Sequence, residues 1–133
     1  MKKLILSAFL LIVTATAIFA NDALNKLTEE QVKTMVCHKW KLTFLEYNSK
    51  KKEIPGSVPT SYIGFLANGT FYQTEGKMTY NGTWTYNHST KTITTVDKDG
   101  TEKHAIIDLN TEQFTMNGKY KGATFNMGLK KAD

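Results

Sequence analysis

FLANGTFYQTEGKMTYNGTWTY, residues 65–86, decides how this chain is read. It carries two Asn-Gly-Thr turns, Asn68-Gly69-Thr70 and Asn81-Gly82-Thr83, each flanked by aromatic residues at alternate positions. Asn-Gly tolerates the positive φ that a tight hairpin turn demands. Alternating apolar and polar residues mark a strand with one buried face. The centre of the chain therefore reads as a run of antiparallel hairpins.

The same pattern extends outward. Strands are expected over residues 39–47, 60–66, 70–75, 80–86, 91–96, 103–109, 113–117 and 123–129, eight in all. The connections between them are short and polar, except the long stretch 48–59, where Lys50-Lys51-Lys52 reads as a solvated loop ahead of Pro55-Gly56. Evenly spaced short strands with such turns suggest a sandwich or a barrel. No connection after Pro59 is long enough for a crossover, which favours an up-and-down meander and hence the barrel. One parity of each strand is apolar: Trp40, Leu42 and Phe44; Trp84 and Tyr86; Ala105, Ile107 and Leu109; Phe114 and Met116; Phe125, Met127 and Leu129. Gly64 and Gly128 suit close backbone approach in a curled sheet.

Before the strands, residues 21–38 are expected to hold a short helix. Thr28-Glu29-Glu30-Gln31 is a capping-box pattern, with Leu27 and Val32 placed as a hydrophobic staple. Residues 1–20 read as a secretory signal peptide: Lys2 and Lys3, then an apolar run, then small residues at Ala15, Ala17 and Ala20. The expected organisation is thus a signal peptide at 1–20, a helical segment at 21–38 and a β-domain at 39–133. The location that follows is periplasmic or extracellular, with no stable membrane span after cleavage.

Composition narrows the function. The 133 residues carry a formal charge of +5, all 17 basic residues are lysine and arginine is absent. Arginine is the favoured group for bidentate recognition of phosphate and base edges, so nucleic-acid binding is not expected. Cys37 is the sole cysteine, which leaves no intramolecular disulfide and reads as a buried, inert thiol.

A catalytic or metal site is not expected either. His38, His88 and His104 read as isolated surface histidines rather than convergent ligands. Ser89 follows His88 in a hairpin loop, where nothing rigid places a nucleophile. Glu46, Glu75, Asp108 and the Asp97–Asp99 stretch are carboxylate candidates, and Asp97-Lys98-Asp99-Gly100 lacks the later ligands of a calcium loop. Asn68-Gly69-Thr70, Asn81-Gly82-Thr83 and Asn87-His88-Ser89 match the glycosylation pattern, and the first two are explained by turn chemistry. No cofactor is called for.

At HKWKLTFLE, FLANGTF, GTWTY, KTITTVDKDG, IIDLNTEQFTM and ATFNMGL, taken in order, the chain resembles small lipocalin-like domains of exported Bacteroidetes-type proteins. The resemblance spans about residues 40–129. It implies a lipocalin-like barrel and, by analogy, a non-catalytic binding protein that holds a small apolar or amphipathic ligand. The aromatic inventory offers a lining for such a pocket: Trp84, Tyr86, Phe125 and Met127 inside, with Tyr72 nearer the rim. The rival expectation is a cell-envelope interaction module, an inhibitor or accessory subunit, with a filled barrel and a functional outer face. No protein partner can be named from the residues.

Overall fold

The computed structural model describes residues 23–120 and 122–133. The signal-peptide expectation for residues 1–20 lies outside the described residues. Within them no helix is long and apolar enough to cross a membrane.

Among the described residues a helix, α1 (Glu29–Val36), leads into nine strands: β1 (Lys39–Tyr47), β2 (Lys50–Glu53), β3 (Ser61–Phe65), β4 (Thr70–Glu75), β5 (Met78–Asn87), β6 (Thr92–Asp97), β7 (Gly100–Leu109), β8 (Gln113–Tyr120) and β9 (Ala123–Lys131). The capping box forms as its pattern requires. Gln31 N–H donates to Thr28 Oγ1 at 3.1 Å, and Thr28 N–H donates to Gln31 Oε1 at 2.8 Å. Two otherwise unpaired helix-end donors are thereby satisfied.

From β3 to β9 every strand pairs antiparallel with its sequence neighbour, and β1 joins β9 to close the ring. The result is an eight-stranded up-and-down barrel of β1 and β3–β9, in which no long edge remains open to pair with another chain. The ninth strand, β2, folds back on the outer half of β1 through a two-residue turn. Asn48 and Ser49 both have positive φ there, 51° and 63°. The loop expected at Lys50-Lys51-Lys52 is therefore a strand. Its sequence, KKKE, carries no apolar position, and all four residues are exposed, so no alternation announces it.

Gly82 is a second correction. Asn68-Gly69 does make a turn, with Gly69 at φ 87°. Asn81-Gly82-Thr83 does not; it lies inside β5, opposite Tyr72, Phe71 and Thr70. The turn between β4 and β5 is instead Gly76-Lys77, with Gly76 at φ 61°. Glycine is needed at position 82 for space: a Cβ there would collide with the Val96 carbonyl and the Phe71 ring.

Two bulges reset which residues face inward. In β1 the register shifts between Leu42 and Phe44, so Trp40 and Leu42 point in but Phe44 lies outside, its ring over Gly128. In β7 it shifts between Ile106 and Asp108. His104, Ile106 and Leu109 are buried there, whereas Ile107 is 39% exposed and Ala105 is not in the core. The expected inward set of Ala105, Ile107 and Leu109 is thus wrong at its first two members. A bulge inserts one extra residue and so exchanges inside for outside along the rest of the strand.

The core gathers at the end of the barrel where α1 sits. Val32 and Val36 join Trp40, Phe65, Trp84, Ile93 and Phe114 in one apolar cluster, and Trp40 and Phe114 are fully buried. Trp40 packs edge-on against Phe114 at 5.4 Å, and Phe65 against Trp84 at 5.3 Å. Each indole N–H has a backbone acceptor, Val36 O at 2.9 Å and Leu66 O at 2.8 Å.

The contacts at the glycines set an order of tolerance. Gly82→Ala must move backbone and is expected to cost about 1–3 kcal/mol, the range for overpacking. Gly128→Ala meets only the movable ring of Phe44. Urea unfolding should show the larger loss for Gly82→Ala.

Candidate functional site

Strand direction separates two ends of the barrel. Lys39, Phe65, Thr70, Asn87, Thr92, Leu109, Gln113 and Lys131 lie at the α1 end. Tyr47, Ser61, Glu75, Met78, Asp97, Gly100, Tyr120 and Ala123 lie at the other. The first end is filled by the aromatic cluster. Toward the second end the interior holds a cavity of about 570 Å3. Its deeper wall is apolar, formed by Leu42, Ile63, Phe71, Met116, Met127 and Leu129. Phe125, Leu45 and Tyr47 continue it outward. Tyr47, Glu75, Glu102 and Lys119, all lining residues, are solvent-exposed, so the cavity reaches the surface there.

The remaining lining is polar and ordered. On β4 the inward positions run Phe71, Gln73, Glu75 toward the open end. On β6 they run Ile93, Thr95, Asp97. On β7 they run Ile106, His104, Glu102. Gln73, Thr95, His104 and the three carboxylates all line the cavity. Each strand thus passes from an apolar side chain through a neutral polar one to a carboxylate.

His104 is the most constrained of these groups. It is only 5% exposed. Its Nδ1 lies 2.8 Å from the Asn117 carbonyl, which can only accept, so Nδ1 carries the proton. Nε2 then faces Thr95 Oγ1 at 3.4 Å and Glu102 Oε2 at 3.6 Å. The reading of His104 as a surface residue is corrected: the β7 bulge turns its parity inward. The other two histidines are not isolated either. His88 Nδ1 lies 3.0 Å from the Tyr86 hydroxyl, and His38 Nδ1 lies 3.2 Å from Asp133 Oδ1. The Asp133 carboxyl is held below its ordinary value chiefly by the Lys39 backbone N–H, which outweighs the opposing effect of burial, with further help from His38 and Lys131.

The residues singled out as pocket lining separate into three groups. Phe125 and Met127 line the cavity. Trp84 and Tyr86 point into the barrel but belong to the packed end and do not line it. Tyr72 is outside, its ring lying over Gly64 on the neighbouring strand, because it has the parity opposite to Phe71 and Gln73. The polar lining was not singled out from the sequence. Its signal was the continuation of the inward parity past Phe71, Ile93 and Ile106.

No three His, Cys, Asp or Glu side chains converge to hold a metal ion among the described residues. The Cys37 thiol is free and half-buried; burial pushes its pKa up against a weaker opposing effect of Lys33, which keeps the reactive thiolate scarce.

A closed antiparallel meander, plugged at one end by a helix and hollow at the other, is an architecture with room for a small molecule. The lipocalin-like domain family model matches residues 37–116. The chain belongs to the lipocalin-like domain family. A comparison with curated proteins found no match.

Tyr86 supplies a test of the packed end. Burial, and then the nearby Glu29 carboxylate, raise its phenol above the ordinary value of 10.0. The folded state therefore holds this proton more tightly than the unfolded chain, and its contribution to stability is lost as pH rises above 10. In a spectrophotometric titration one of the six tyrosines should ionise late. Tyr86→Phe should remove that late step and flatten the fall in stability above pH 10.

Proposed function

We propose that this is a non-catalytic carrier or sequestering protein that takes one small amphipathic molecule into the open half of its barrel. The observation that carries this reading is the cavity of about 570 Å3, within the roughly 300–1,000 Å3 range of small-molecule sites. Its apolar depth would supply affinity by removing ligand surface from water, at about 25 cal/mol per Å2 before ordering costs. Lipocalin-like domains in general serve binding rather than catalysis. The alternative, an interaction module with a filled barrel, is disfavoured by the same hollow.

Export belongs to this proposal. It rests on the charged and apolar pattern of residues 1–20, and the motif order that suggests it is of the Bacteroidetes type. N-terminal sequencing of protein recovered from the envelope or medium tests it.

Native mass spectrometry of the mature protein should reveal a co-purified small molecule. After its removal, the neutral probe N-phenyl-1-naphthylamine should bind with enhanced fluorescence. Met127→Trp, which pushes bulk into the cavity, should weaken probe binding about tenfold or more, equivalent to ~1.4 kcal/mol. Tyr72→Phe, outside the barrel, should leave it unchanged. An empty protein that takes up no probe overturns the reading.

A further inference from the structure

We propose that the cavity selects an amphipathic ligand whose head group is a protonated amine, the apolar body lying deep and the ammonium at the open end. This rests on the binding function proposed above and adds the chemical class of the ligand.

The argument begins with the gradient on β4, β6 and β7. At the depth of Phe71, Ile93 and Ile106 the inward side chains are apolar. The next inward residues are Gln73, Thr95 and His104. The last are Glu75, Asp97 and Glu102. Three independent strands place a carboxylate at the same rim of the same cavity.

This is contrary to the composition. The chain carries 17 lysines against 12 acidic residues, yet the cavity lining contains three carboxylates and, among the described residues, only Lys119 as a cation. None of the three carboxylates is ion-paired to a described lysine. Asp97 Oδ1 accepts from the Asp99 backbone N–H at 2.8 Å, and Glu75 Oε1 accepts from the Gln73 amide at 3.1 Å. Each of these two carboxylates keeps a second oxygen for a ligand.

The layer beneath also presents acceptors. The Gln73 amide gives one N–H to Glu75 and keeps its carbonyl oxygen as an acceptor. The Asn117 carbonyl accepts the Nδ1 proton of His104, which leaves Nε2 to the groups on the other side of the ring. That nitrogen is buried and lines the cavity, and its nearest polar neighbours, at 3.4 Å and 3.6 Å, are the Thr95 hydroxyl and a carboxylate. The free oxygens of Glu75 and Asp97 at the rim call for a donor, and an alkylammonium is such a donor, with up to three N–H groups and a positive charge. A carboxylate head would instead meet three like charges and find one lysine.

The rim is wet. The Glu102 side chain is 69% exposed. Selectivity therefore arises from several screened attractions, with an expected salt dependence.

The experiment uses three ligands with one tail: octylamine, octan-1-ol and octanoate, each displacing N-phenyl-1-naphthylamine from the delipidated mature protein at pH 7. Octylamine should bind about fivefold or more tighter than octanoate at low ionic strength, the sum of a few exposed ion pairs. Added salt should shrink that preference. Glu75→Gln, Asp97→Asn and Glu102→Gln combined should abolish it while leaving octan-1-ol binding intact. The pair Glu75→Gln and Glu102→Gln, which spares the Asp97 turn, should remove most of it. Equal or tighter binding of octanoate, or a preference untouched by the carboxylate substitutions, overturns the inference and leaves the carrier function standing. Failure of all three ligands to displace the probe overturns the inference; failure of the probe itself to bind overturns both.

Discussion

The hydrogen bond from the Trp40 indole to the Val36 carbonyl, 2.9 Å long and fully buried, is the point on which the architecture turns. It adds a second donor to a helix-terminal carbonyl that also accepts from the His38 N–H at 2.7 Å. It also fixes α1 to the first strand at the moment the chain enters the barrel. The same indole packs edge-on against Phe114 on β8, two strands away around the barrel wall beyond β9. One side chain thereby joins helix, first strand and β8, and the end of the barrel near it is solid. An unpaired indole N–H buried there would cost about 1–3 kcal/mol, so the contact specifies geometry as well as filling space.

Because one end is solid, the other can be hollow. Cohesion is concentrated where Trp40, Phe65, Trp84, Ile93 and Phe114 interlock. Toward the open end the inward positions shrink or turn polar. Gly118 follows Phe114 and Met116 on β8, and a Cβ there would press on Met127 and Phe125 at 3.2 Å. Glycine lets those two side chains lie along the wall. Thr95 and Ala123 are likewise small. The cavity is thus built by residue size along individual strands, with the hydrogen-bonded ring of the barrel unbroken around it.

Much of this was legible. Alternation gave the parity of β8 and β9 and placed Trp84, Phe125 and Met127 inside. Thr28-Glu29-Glu30-Gln31 marked the helix start because both halves of a capping box are local. What failed has a common cause. Alternation assumes an unbroken period of two, and the bulges in β1 and β7 each add one residue. Phe44 and Ile107 are apolar residues placed outside by that addition, and His104 is a polar residue placed inside. Tyr72 failed differently: its aromatic ring suggested the interior, but the ring covers Gly64 on the outer surface, where glycine leaves a groove. Strand β2 was invisible because its four residues bury nothing, so only the positive-φ pair Asn48-Ser49 and the pairing itself define it.

The candidate site was less legible than the fold because its polar half looks, residue by residue, like solvent-facing strand. Gln73, Thr95 and Glu102 are ordinary on an outer face. They acquire meaning only through their distance, in steps of two, from Phe71, Ile93 and Ile106. A strand's inward parity does not end where its hydrophobicity ends. In a filled barrel the inward residues stay apolar until the strand leaves the sheet. In a barrel that admits a molecule from water they must change character at the depth where the molecule's polar end rests, and neighbouring strands must change together. Here the adjacent strands β6 and β7 do so, and β4, beyond β5, does the same, a coincidence that supports the proposed binding cavity over an underpacked core.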